Sequence, residues 1–280
     1  MLLRLPLCTM KIMINTNDYK VAYNSSVKLE SWASRYSGKL TKDEVNAEFQ
    51  SLIEKFQKLQ ELLYADGSQA LLVVLQAMDA AGKDSTIKNV FGHINPQGCN
   101  VVSFKSPNNA ELAHDYLWRI HQNTPRKGHI GVFNRSHYED VLIVRVKELV
   151  PKEQVKKRYE HINNFETLLD DEGTRIVKFF LHISNEYQKE QLQERLDTPE
   201  KLWKFDTGDI PERMRWKDYQ KAYEQVFEKC STPAAPWYIV PAERKWFRNF
   251  LVVKVLVETL ESMNLKFPKA NFDPKDIKIP

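Results

Sequence analysis

The sequence predicts an α/β domain built on a parallel sheet of five strands. Short runs rich in apolar residues recur along the chain, at 70–75, 100–104, 129–133, 175–183 and 237–240. Stretches of helical periodicity separate them, and strands alternating with helices imply parallel pairing through crossovers. The first run, Ala70–Leu75, is continuously apolar rather than alternating, which suits a strand covered on both faces.

Taken in order, Met1–Ile14 is rich in Leu, Met and Ile, with Arg4 near its start. Pro6 and Lys11 interrupt it and no A-x-A site follows, so the pattern of a cleaved leader is poorly met. We expect an early start codon, with Met10 or Met13 as the true start. Residues 15–40 show no period, so residues 1–40 are expected to form an irregular arm. Thr41 and Glu44 make a capping box, and Val45, Phe49, Leu52, Ile53, Phe56, Leu59 and Leu63 follow at helical spacing. This predicts one amphipathic helix over 42–65, ended by Asp66-Gly67.

A glycine-containing turn after the first strand leads to a helix over 83–91. Further helices are expected over 110–122, 138–148, 152–169 and 185–195. Trp246–Leu260 is apolar nearly all round and is expected to be a buried closing helix. Residues 41–265 then form a single domain and 266–280 a tail. One segment breaks the rhythm: residues 196–216 are highly charged and carry Pro199 and Pro211. Such a segment in a compact domain is either a functional lid or a solvated surface loop.

Composition limits the function classes. Of 280 residues, 42% are hydrophobic and 28% charged, which suits a folded soluble domain rather than a disordered chain. No apolar run reaches the roughly 20 residues of a membrane span. The net charge of +4 permits a polyanionic partner without requiring one. Cys8, Cys99 and Cys230 are isolated, so neither a disulfide framework nor a zinc site is expected. A reducing cytoplasm is the simplest location.

The strongest chemical signal is LLVVLQAMDAAGKDST, residues 71–86. A buried strand, a tight turn and a helix start form the context in which backbone N–H groups and the helix dipole hold phosphate. Gly82 permits close approach, and Lys83 can reach a terminal phosphoryl oxygen. Ala80, Ala81, Ser85 and Thr86 complete the candidate cradle. The strict pattern G-x-x-x-x-G-K-[ST] fails twice, with Ala77 at the first glycine and Asp84 at the hydroxyl position. Ala77 must keep an ordinary backbone, because alanine disfavours positive φ. The bland alternative for a lone G-K pair is an exposed lysine at a helix start.

Asp79 and Asp84 would repel phosphate unless a hard cation lay between them. Magnesium takes oxygens from carboxylates and phosphates together, and manganese could replace it. Asp84 could also merely cap its helix. A second constellation, Asn134-Arg135-Ser136-His137-Tyr138-Glu139-Asp140, follows the third strand, where open parallel sheets bind ligands. Arg135 is placed to clamp phosphoryl oxygens, and Glu139 is preferred over Asp140 as the residue facing the site. Lys105 ends the preceding strand. His93, His121, His137 and His161 show no metal-ligand spacing and are read as surface or packed histidines.

At MDAAGKDST (78–86), NPQG (95–98), SFK-x-P (103–107), HDYLWR (114–119), GVFNRSHYEDVLIVRV (131–146), WKF (203–205) and APWYIVPAERKWFR (235–248), the chain resembles the polyphosphate kinase 2 family. These motifs stand in the family's order and span about residues 30–265. The resemblance is closer to the branches with MDAAGKD and FNRSxYE motifs than to the branch with RDAAGKGG and NRAGVER. It implies a P-loop kinase-like three-layer α/β/α fold with a helical lid at about 196–216. It also implies magnesium-dependent transfer of phosphoryl groups between inorganic polyphosphate and nucleoside mono- or diphosphates, with ATP or GTP among the nucleotides.

By resemblance, Asp79, Lys83 and Arg135 are the catalytic candidates, and Asp79, Asp84 and Glu139 the metal candidates. Phosphate contacts are expected from Ala80, Ala81, Gly82, Lys83, Ser85, Thr86, Lys105, Arg119, Arg135, Lys201, Lys204 and Arg213. Arg195 and Arg215 are further lid cations. Dimers or tetramers are common in the family. Neither nucleic acid nor membrane is expected as a partner. Two other readings remain: an ATP-dependent kinase on the same fold, and a non-enzymatic binder of polyanions or nucleic acid. A GTPase is disfavoured, since no N-K-x-D guanine motif is present.

Overall fold

The computed structural model describes residues 14–36 and 38–279. The leader and start-codon readings of residues 1–13, and Cys8, lie outside these residues. Helix α1 (Lys42–Asp66) opens the domain with the expected capping box. Thr41 N donates to Glu44 Oε2 at 2.8 Å, and Glu44 N donates back to Thr41 Oγ1 at 3.4 Å. Gly67 ends the helix in the left-handed conformation, φ 65°, that glycine adopts without strain.

Five strands follow: β1 (Ala70–Ala77), β2 (Cys99–Ser103), β3 (Ile130–Asn134), β4 (Thr174–His182) and β5 (Trp237–Pro241). All pair in parallel in the order β2-β3-β1-β4-β5. Strand β1 lies at the centre with every residue buried, as its unbroken apolar run predicts. Helix α2 (Lys83–Phe91) starts directly after the turn that follows it. The connection from β2 to β3 carries two short helices, α3 (Asn109–Leu112) and α4 (Trp118–His121). Beyond β3 come a 3₁₀ turn (His137–Val141), α5 (Ile143–Val146) and α6 (Lys152–Asp171).

After β4 lie α7 (Asn185–Asp197), a 3₁₀ segment (Pro199–Lys204), α8 (Asp209–Met214) and α9 (Trp216–Cys230). Helix α10 (Lys245–Ser262) follows β5 and packs along α1 and α2, while α6 packs with α9 and β4. The sheet between these helical groups gives the three-layer arrangement. The closing helix is buried as expected, with Phe247, Phe250, Leu251, Val253 and Leu256 fully covered.

Two expected helices do not form as single elements. The segment 110–122 breaks because the Asp115 side chain accepts from Leu117 N at 2.9 Å, a local bond that competes with the helical ladder. The segment 138–148 begins as a 3₁₀ turn capped by Ser136, whose Oγ accepts from Tyr138 N at 3.2 Å. It restarts as α5 only after Leu142, whose backbone lies outside the helical region. The arm is irregular, with two 3₁₀ turns, but it is not detached from the domain. Val21 N donates to Trp237 O at 2.9 Å, and Val21, Val27 and Leu29 are buried. Tyr36 stacks on Phe247 of α10 with ring centroids 3.8 Å apart. No helix of the described residues is long and apolar enough to cross a membrane.

Candidate active site

The carboxyl ends of β1 and β3 open into a cleft of about 550 Å³, roofed by α7 and the 3₁₀ segment at 199–204. The glycine turn forms its floor. Ala77 stays within the strand, and the left-handed positions fall instead at Ala80, φ 64°, and Gly82, φ 98°. Gly82 also has no room for a side chain, because a Cβ there would lie 2.3 Å from an Arg248 guanidinium nitrogen. Lys83 Nζ curls over the turn and donates to Ala77 O at 3.3 Å. Burial lowers the pKa of Lys83, and the Asp79 carboxylate opposes that shift.

Arg135 stands opposite, with its backbone left-handed at φ 63°. A non-glycine residue in that region costs of order 1–3 kcal/mol, and such strain clusters at functional sites. Its guanidinium donates to Asp79 Oδ1 at 3.1 Å. Burial works against the Arg135 charge, but Glu139 and Asp79 outweigh it and hold its pKa above the ordinary value. Burial raises the pKa of Glu139, against the pull of Arg135 and Lys83. Asn134 Nδ2 donates to Asp84 Oδ1 at 2.7 Å, which ties the second constellation to the glycine turn. Asp140 points elsewhere: Arg158 donates to its Oδ1 at 3.3 Å, and burial pushes its pKa up to about 6.

The predicted site residues separate into two groups. Asp79, Ala80, Ala81, Gly82, Lys83, Asp84, Ser85, Lys105, Arg135, Lys201 and Lys204 all line the cleft. Four others do not line it, and the first is Glu139, whose charge is nonetheless felt by Lys83 and Arg135. Thr86 is fully buried, and its hydroxyl donates to Gly82 O at 3.1 Å inside the helix. Arg119 donates to Lys105 O at 2.8 Å and lines a separate cavity with Tyr116, Asp140 and Arg158. Arg213 donates to Asn185 O and to Gln188 Oε1 at 3.0 Å, which pins the start of the lid's return to α7. Of the other lid cations, Arg195 pairs with Asp209 at 3.2 Å and Arg215 with Asp218 at 3.6 Å.

Sequence reasoning missed Gln188 and Arg248. Gln188 Nε2 donates to Asp79 O at 3.0 Å, so the same amide joins the lid arginine to the glycine turn. Arg248, 1% exposed, lines the cleft and donates to Ala81 O at 3.3 Å and Ser85 Oγ at 3.1 Å. Gln188 carries no local signal, and Arg248 had one that was not used, since it ends the APWYIVPAERKWFR motif; both acquire their partners only through the tertiary fold.

Among the described residues, no three His, Cys, Asp or Glu side chains form a cluster that could hold a metal ion alone. The donors nonetheless suit a magnesium ion shared with phosphate. Asp79 and Asp84 are hard oxygen donors lining a cleft that also holds Lys83 and Arg135, and magnesium is commonly bound by one or two carboxylates with phosphate oxygens.

Cations and backbone N–H groups facing each other across a strand-end cleft can hold two anionic partners in line, as phosphoryl transfer requires. The class so defined is that of kinase-like phosphotransferases. The model of the polyphosphate kinase 2 (PPK2) family matches residues 39–268, and the chain belongs to that family. It is similar to an AMP/ADP-polyphosphate phosphotransferase of Meiothermus ruber, 58% identical over 218 residues that span 78% of this chain and 82% of that protein. An ADP-polyphosphate phosphotransferase of Rhodopseudomonas palustris is 44% identical over 269 residues, covering 91% and 93% of the two chains. The crystal structure of polyphosphate kinase 2 from Arthrobacter aurescens superposes with a TM-score of 0.88 at 41% identity, over 92% of this chain and 93% of that one.

Proposed function

We propose that the chain moves phosphoryl groups reversibly between inorganic polyphosphate and nucleoside mono- or diphosphates. The observation that carries this is one cleft in which Lys83 and Arg135 at the strand ends continue into Lys201 and Lys204 of the lid. Four cations lining one cleft suit a polyanionic substrate. The Meiothermus ruber relative is an AMP/ADP-polyphosphate phosphotransferase and the Rhodopseudomonas palustris relative an ADP-polyphosphate phosphotransferase, and both nucleotides are proposed as acceptors here.

Catalysis is positioning and charge neutralisation, since phosphoryl transfer asks little covalent chemistry of the protein. The start of α2 and Lys83 Nζ hold the transferring phosphoryl group, and Arg135 holds its oxygens from the opposite side. The lid excludes water and so suppresses hydrolysis. Magnesium, or manganese in its place, would be held by Asp79 and Asp84 with Glu139 nearby, and when bound it supplies neutralisation of the phosphate oxygens. Assembly as a dimer or tetramer in the cytoplasm belongs to the same reading and rests on the family resemblance.

The test is incubation of the purified chain with long-chain polyphosphate, magnesium and AMP, ADP, GMP or GDP in turn, without ATP, with products resolved by chromatography. Higher nucleotides should accumulate. Their absence, with turnover appearing only when ATP is the donor, would favour an ATP-dependent kinase instead.

A further inference from the structure

Arg248 lies on α10, is 1% exposed, and makes no ion pair among the described residues. Its guanidinium is not short of hydrogen bonds. It donates to Ala81 O at 3.3 Å, to Ser85 Oγ at 3.1 Å and to Asn249 Oδ1 at 3.0 Å. All these acceptors are neutral. A buried charge with only neutral partners is costly, and folded proteins normally pair such a charge. Burial accordingly draws the pKa of Arg248 down to about 10.

Its direction is as informative as its burial. Two of its three partners belong to the 79–85 turn, and the residue itself lines the cleft. Gly82 is the point of closest approach, since any Cβ there would meet the guanidinium at 2.3 Å. Glycine at 82, which the left-handed backbone also requires, leaves that space to the guanidinium. A purely structural peg in this place would not need a charge.

We propose that Arg248 is a positioning residue of the phosphate site, holding the 79–85 turn in its anion-binding shape and taking its counter-charge from the polyphosphate bound in the cleft. This rests on the reading of the cleft as the polyphosphate site. The folded chain without ligand bears the cost of the unpaired charge, and the ligand relieves it. Binding and stability therefore separate: loss of the charge weakens the ligand-bound state and leaves the ligand-free state largely as it was.

The experiment is thermal melting of the full chain and its Arg248→Met and Arg248→Lys variants, titrated with long-chain polyphosphate in the presence of magnesium. The wild type should melt higher as polyphosphate is added. In Arg248→Met the melting temperature without ligand should match the wild type, and the polyphosphate midpoint should rise by roughly tenfold to a hundredfold, the range carried by charged hydrogen bonds. Arg248→Lys should recover part of that loss. A methionine variant with an unchanged midpoint, whatever its melting temperature, overturns the proposal. If both quantities change, the lysine variant decides: a midpoint restored towards wild type supports the role of charge, and one left fully raised overturns it. A wild type unaffected by polyphosphate would remove the reading of the cleft itself, and this proposal with it.

Discussion

Lys83 concentrates the chemistry of the site in one amine. It is the first residue of α2, where the helix dipole adds to its own charge. Without ligand its Nζ rests on Ala77 O, so it is already folded over the turn that holds phosphate. Lys83→Ala should lower kcat by about 10²–10³, the loss typical of one group that stabilises transition-state charge. Melting temperature should barely move, because the bond to Ala77 O is one modest contact. Near-normal turnover by the folded variant would remove Lys83 from the mechanism. A pH effect follows from its lowered pKa. The working form is the cation, so kcat/KM should fall on the alkaline side at a pH below the ordinary lysine range. Lys83→Arg keeps its charge and should lose that alkaline fall, even if its turnover is poorer; the two pH profiles check this. Lys83, Gly82, Asp79 and Arg135 were legible in the sequence because loop chemistry is local: strand, turn and helix start fix their placement. The roles of Arg248 and Gln188 were not, because they depend on which helices reach the turn.

At the scale of elements, the charged segment proposed as a lid lines the same cleft as the charged residues of the glycine turn. Asp209 at the start of α8 shows this. Burial and the facing Asp79 raise its pKa to about 6, although Arg195 pulls the other way. The folded value thus lies above the ordinary 3.8. Its contribution to lid docking is fully present below about pH 4 and is lost as pH rises through about 6. In the ligand-free chain, hydrogen-exchange protection of residues 199–214 should therefore be greater at pH 5 than at pH 7.5, and Asp209→Asn should flatten the difference. Equal protection at both pH values in the wild type would show that Asp209 does not govern the lid. The lid cations give a separate test. Replacing Lys201 and Lys204 by Ala should raise KM for polyphosphate and weaken its dependence on salt, since fewer screened contacts remain. Arg213→Ala should instead loosen the lid, because its guanidinium is bound to Asn185 and Gln188. Strands and long helices were legible here because hydrophobic period fixes them. The segments 110–122 and 138–148 misled because Asp115 and Ser136 side chains capture backbone N–H groups that the period assigns to a helix.

Across the whole molecule, the 134–140 segment is anchored by a buried charged network. Lys178 of β4 and Glu166 of α6 are both buried, with Nζ and Oε2 2.5 Å apart. Tyr138 donates to Glu166 Oε1 at 2.8 Å, and His137 Nε2 lies 3.2 Å from the same oxygen. Lys178 also donates to Cys230 O at 2.7 Å, which brings in the end of α9. Strand, two helices and the turn after Arg135 thus meet around one buried ion pair. Neither charged partner had a local signal, since a lysine inside an apolar strand and a glutamate in a charged helix look incidental until they meet. Removing one partner leaves the other charge buried and uncompensated. Glu166→Leu or Lys178→Met alone should therefore destabilise the fold by about 3–5 kcal/mol. The double replacement Glu166→Leu with Lys178→Met removes both charges and should recover most of that loss, because apolar side chains of similar volume often substitute for a buried pair at little cost. Chemical denaturation of the two single variants and the double variant measures this. Additive losses in the double variant would show that the groups do not act as a pair. Recovery of stability without recovery of kcat would show that Tyr138 and His137 need the Glu166 carboxylate to hold Arg135 and Glu139 in register.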